Sequence, residues 1–98
     1  MEENKKNGIQ IEIDEITAQG SYANLAMISH SDSEFIFDFI FVQPQAPKAR
    51  VRARVLTSPS HAKRILSALG DNVAKYEARF GEIKAAVMPE EKKVGYYN

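Results

Sequence analysis

A chain of 98 residues is long enough for one domain with a single core and little to spare. Its composition, 44% apolar and 27% charged, is that of an ordinary globule, and a formal net charge of zero excludes a general electrostatic pull towards nucleic acid or anionic membranes. The absence of cysteine excludes disulfides, thiolate nucleophiles and cysteine-based metal sites.

The charges are unevenly placed. Residues 1–38 carry eight acids and two lysines, residues 39–70 carry six Lys/Arg and no acid, and the remainder balances at five of each sign. Such a chain can neutralise itself by laying its basic segment against its acidic one, within or between subunits. No apolar run approaches the roughly 18 residues that span a bilayer, and Met-Glu-Glu-Asn-Lys-Lys lacks the apolar centre of a signal peptide. The expectation is a bacterial-type cytoplasmic protein without membrane contact.

In chain order, Met1–Asn7 is charged and reads as a tail, 8–84 as one domain, and 85–98 as a mobile C-terminal tail. Ile9, Ile11 and Ile13 alternate with Gln10, Glu12 and Asp14, predicting a half-buried first strand. Its phase slips at Asp14-Glu15, where a bulge or the strand's end is expected, and Gly20 marks a turn or a second bulge. A second strand is predicted over Tyr22–Ser29, with Ala23, Leu25 and Met27 on one face and Tyr22, Asn24, Ala26 and Ile28 on the other. His30-Ser-Asp-Ser33 is turn chemistry joining it as a hairpin to Glu34–Val42.

That third strand is the most informative stretch. Phe35, Phe37, Phe39 and Phe41 recur at every second position, so one face is a row of rings, while Glu34, Ile36, Asp38, Ile40 and Val42 make the other. Pro44 and Pro47 bracket a loop. A fourth strand, Arg50–Leu56, alternates Val51, Ala53 and Val55 with Arg50, Arg52 and Arg54. For its apolar residues to share the Phe face, paired positions must sum to an even number, and the short loop favours about 92. That register sets Phe39 opposite Ala53, Phe37 opposite Val55, and Asp38 opposite Arg54.

Ser58-Pro59 opens a helix, with Ser58 as N-cap and Pro59 at the first helical position, and Gly81 closes it. Ala62, Ile65, Leu66, Leu69, Val73, Tyr76 and Phe80 form its apolar stripe, and Ile83, Val87 and Met88 continue the apolar pattern after the turn. Gly70 interrupts it at a cost of about 1 kcal/mol relative to alanine. The predicted fold is α+β: a four-stranded antiparallel β-meander followed by one long C-terminal helix packed on the Phe face. Tyr22, Ile28, Ile36, Ile40, Val42 and Leu56 are then assigned to the uncovered face, as the interface of a homodimer or higher oligomer.

Lys48, Arg50, Arg52, Arg54, Lys63 and Arg64 form the candidate binding cluster. They suit phosphates or an acidic peptide, or else cross-strand pairing with Glu34, Asp38 and the acids of the first strand, which the zero net charge favours. His30 and His61 stand at no metal-ligand spacing, and Ser29–Ser33 holds the residue types of a hydrolase triad without nucleophile-elbow glycines. Tyr96-Tyr97 on the charged tail reads as part of an unstructured terminus, with a short recognition segment as the alternative. No enzyme activity, metal or cofactor is expected.

Several motifs occur in order: Tyr22-Ala-Asn-Leu-Ala26, Ser33-Glu-Phe35, Asp38-Phe39, Ser58-Pro-Ser-His-Ala-Lys-Arg64, Asp71-Asn72, Lys75-Tyr-Glu77 and Phe80-Gly81. Over residues 8–84 the chain thereby resembles a family of short prokaryotic proteins known only as domain-of-unknown-function family 3467, a resemblance that implies no activity, cofactor or substrate. The predicted order of strands and helix is similar to that of the export chaperone SecB, a likeness of fold order alone. The expected function is that of a small homo-oligomeric protein-interaction or chaperone-like adaptor module, with itself and another polypeptide as partners. A nucleic-acid or phosphate binder using the arginine strand is the alternative.

Overall fold

A computed structural model describes residues 8–45 and 48–84 of the chain. The expectations for the N-terminal tail, Pro47, Val87, Met88 and Tyr96-Tyr97 lie outside the described residues. The elements run α1 (Glu15–Gln19), β1 (Leu25–His30), β2 (Phe35–Val42), β3 (Ala49–Thr57) and α2 (Pro59–Phe80). The chain divides into two compact units, one ending at Ala62 and the other beginning at Lys63.

The fold is α+β with an antiparallel sheet and a C-terminal helix, but among the described residues the sheet has three strands, in the order β1-β2-β3. The first predicted strand is corrected. Ile9, Ile11 and Ile13 belong to no strand and are more than half exposed. The phase slip after Ile13 is neither a bulge nor a strand end. Asp14 is the N-cap of α1, its carboxylate accepting the Thr17 N–H at 3.3 Å, and Gly20 terminates the helix at φ 78°. Bonds from Thr17 hold the Asp14 carboxyl below its ordinary value.

The β1–β2 hairpin turns as its serines require: the Ser31 hydroxyl accepts the N–H groups of Ser33 and Glu34 at 3.2 and 3.3 Å. At the other end of the pair, the Asn24 side chain behaves as a strand residue. Its Oδ1 accepts the Val42 N–H at 2.8 Å and its Nδ2 donates to the Val42 carbonyl at 3.0 Å. Both polar groups of the last β2 residue are thereby satisfied where β1 has run out.

Between β2 and β3 the expected register holds at Phe37↔Val55, Asp38↔Arg54 and Phe39↔Ala53. It then shifts, so that Ile40 faces Val51 and Phe41 faces Arg50, and Arg52 is left over as the bulged residue. The reason is electrostatic. An unbroken register would set Arg52 opposite Ile40 and Arg50 opposite Val42, two further guanidinium groups on the face where Asp38 and Ile40 are buried. The bulge expels Arg52, brings Val51 beside Ile40, and moves Arg50 to the opposite face.

α2 has the predicted bounds. Ser58 caps it, its Oγ accepting the His61 N–H at 3.1 Å, and Gly81 ends it at φ 102° with its N–H on the Glu77 carbonyl. The Ile83 N–H donates to Glu77 Oε2 at 2.9 Å, closing the C-terminal turn. Within their own unit, Leu66, Leu69, Val73, Tyr76 and Phe80 of the stripe are exposed. Helical periodicity gives an apolar face, and not the surface that receives it.

Candidate functional site

Residues paired across antiparallel strands share a face, so the register sorts the sheet into two surfaces. One carries Phe35, Phe37, Phe39 and Phe41 with Ala26, Ile28 and His30 of β1 and Arg50, Ala53, Val55 and Thr57 of β3. The other carries Ile36, Asp38, Ile40 and Val42 with Leu25, Met27 and Ser29, and with Ala49, Val51, Arg54 and Leu56.

The second surface holds the buried groups of the sheet. Asp38 is 1% and Ile40 4% exposed. Arg54 grips Asp38 with both prongs, Nε to Oδ1 at 2.7 Å and a terminal guanidinium nitrogen to Oδ2 at 2.8 Å. The carboxylate is enclosed while the Arg54 side chain is 54% exposed, so the charge that needs the pair is Asp38.

The phenylalanine surface is the more open one. Phe39, between Ala26 and Ala53 in the ladder, is 37% exposed because neither alanine reaches beside the ring. Phe37 and Phe39 lie nearly parallel, centroids 6.4 Å apart at 12°, and His30 stacks on Phe35 at 5.3 Å. An open depression beside Phe39 is lined by Ile16, Thr17, Gly20, Ala23 and Arg52. Tyr22 meets Phe41 edge-on at 6.1 Å, near the end where Arg50 faces Phe41.

The residues assigned to a single interface therefore separate. Ile36, Ile40, Val42 and Leu56 share the Asp38 surface, Ile28 stands on the phenylalanine surface, and Tyr22 packs against Phe41. Ile40 is already buried by its own chain, whereas Leu56, Ile28 and Tyr22 are exposed. The alternation placed Ile28 correctly within its strand, but its face was assigned to the wrong side of β2.

The basic cluster separates as well. Arg54 is committed to Asp38, Arg50 stands on the phenylalanine surface, and Arg52 occupies the bulge. Lys48, Arg50, Arg52, Lys63 and Arg64 are exposed, and neither Arg50 nor Arg52 makes an ion pair among the described residues. Cross-strand pairing thus accounts for one arginine of three. Sequence reasoning missed the Asn24 clasp and the bulge at Arg52. The only trace of the first is an asparagine just before the apolar alternation begins; the second leaves none, because Arg50, Arg52 and Arg54 alternate without interruption.

No group of three or more His, Cys, Asp or Glu among the described residues could hold a metal ion. No helix among them is long and apolar enough to cross a membrane.

Among the described residues, a three-stranded antiparallel meander and a long C-terminal helix define a small α+β protein. The chain belongs to the family described as Protein of unknown function (DUF3467), whose model matches residues 1–85. No curated protein and no solved structure matches the chain.

Proposed function

We propose that the protein is a small homo-oligomeric interaction module, acting without catalysis, that holds another polypeptide against open apolar surface and strand edges in the manner of an adaptor or chaperone. The observation that carries this reading is the poverty of the core. Among the described residues, Ile40 and Ala62 are the buried apolar side chains, while Ile28, Val55, Leu56, Leu66, Leu69 and Phe80 are exposed. Ordering a backbone residue costs about 1–2 kcal/mol, and burying Ile40 at about 1.5–3 kcal/mol, with about 1 kcal/mol from the Ala62 methyl, does not offset that. Apolar surface left open in one chain is therefore surface for another. The outer edges of β1 and β3, unpaired among the described strands, offer main-chain hydrogen bonds to an extended segment.

Sedimentation equilibrium at micromolar concentration is the direct test, and at least twice the chain mass is the expected result. A stable monomer would remove the oligomeric half of the reading.

A second reading has an observation of its own. Among the described residues Arg50 and Arg52 are exposed and make no ion pair, Arg50 opposite Phe41 and Arg52 beside Phe39, which suits a phosphate or a nucleic acid. Salt separates the two. Phosphate-driven binding weakens steeply between about 50 and 200 mM salt, whereas polypeptide held on apolar surface stays bound, and the latter is expected.

A further inference from the structure

The exposed residues of α2 do not form the broad face that a helix turns towards a sheet. Leu66, Leu69, Val73, Tyr76 and Phe80 follow one another at intervals of three, four, three and four. This is the strict 3.5-residue seam of a coiled coil, with Leu66, Val73 and Phe80 at the first apolar heptad position and Leu69 and Tyr76 at the second. Leu69, near the middle of the helix, is 61% exposed.

We infer that this seam is covered by the same helix of a second copy, running antiparallel about a two-fold axis near Asp71. The inference deepens the homo-oligomer proposed above and rests on it. Three properties of the helix select this occupant.

The first is layer matching. With the axis there, Leu69 meets the partner's Val73, and Leu66 meets the partner's Tyr76. Covering the five exposed side chains on both copies removes on the order of 1,000 Å², the lower range of specific interfaces.

The second is charge. Reversing one helix brings like flanking positions together, so Lys63 stands beside the partner's Glu77, and the two-fold repeats the pair. Within its own chain neither residue makes an ion pair among the described residues. Glu77 has one carboxylate oxygen on the Ile83 N–H and keeps the other for this contact. In a parallel arrangement Lys63 and Glu77 lie about 20 Å apart along the axis and do not meet.

The third is Gly70. A methyl group there would touch nothing within 4 Å in its own chain, and its φ is not in the left-handed region, so the single chain gives no reason for a mid-helix glycine. In the antiparallel pair the two copies of Gly70 face each other across the axis, where absent side chains let the backbones approach.

The test measures self-association of full-length variants by sedimentation equilibrium, with circular dichroism to confirm that the helix is retained. Leu69→Lys should lower association by at least a hundredfold. Lys63→Glu places two like-charged contacts in the pair and should weaken it about tenfold. Lys63→Glu with Glu77→Lys exchanges the charges and should restore association to near the wild-type value.

Loss of association in Leu69→Lys without any response to the charge changes would overturn the antiparallel pairing. If Leu69→Lys associates as the wild type does, the seam proposal falls while the oligomer stands on another surface. A monomeric wild type would sink both together.

Discussion

Arg54→Met should lower the stability of the protein by about 3 kcal/mol, the lower end of what breaking a buried ion pair costs. The variant takes a bidentate partner from a carboxylate that is 1% exposed. The lower end applies because the Arg54 side chain is half exposed, so water already screens part of the attraction. Asp38→Leu should cost less, since the guanidinium it releases can turn to solvent. The double variant should recover most of the Arg54→Met loss, because no buried charge is left without its arginine. Urea midpoints for the four proteins give the coupling directly. Single changes within about 0.5 kcal/mol of the wild type, adding without coupling, would show that the pair carries no such weight.

Ile40→Ala has the second large effect, about 3 kcal/mol at any protein concentration. Ile40 is the most deeply buried apolar residue among those described. From the sequence, the row of rings is the natural core, and Phe37→Ala or Phe39→Ala the natural way to unfold it. The structure transfers that weight to the other face. Phe39 is 37% exposed, so in an isolated chain Phe39→Ala should cost about 1 kcal/mol of lost transfer energy. A second chain covering that surface would make the loss grow with protein concentration. Denaturant titrations at two concentrations a hundredfold apart resolve the contrast. Equal, concentration-independent midpoint shifts for Ile40→Ala and Phe39→Ala would contradict it.

The parts of this molecule that were legible in its sequence are those fixed by neighbours. Ser58-Pro59 and Gly81 bound the helix because capping and backbone freedom are properties of single residues. The Asp38↔Arg54 register follows from two alternations and one short loop. What failed required knowing the environment. Ile9, Ile11 and Ile13 alternate as a strand does, yet a strand needs an edge to join, and Asp14 turns the chain into a helix instead. The bulge at Arg52 answers to how many arginines a buried face can accept, and no count along β3 shows that. Which sheet surface is buried could not be read either, since both faces of β2 are apolar and only the assembled unit shows Asp38 and Ile40 enclosed.

The order β1-β2-β3 also governs the sequence of events during folding. Every pairing in the sheet is made between strands adjacent along the chain, so no long loop must close before a ladder can form. Each hairpin can zip on the microsecond scale, and Asp38 can find Arg54 without help from a second molecule. If two copies join as proposed, that step requires a diffusive encounter and becomes the slow one in dilute solution. Refolding should therefore separate into a fast phase indifferent to protein concentration and a later one proportional to it, with sheet ordered before helices meet.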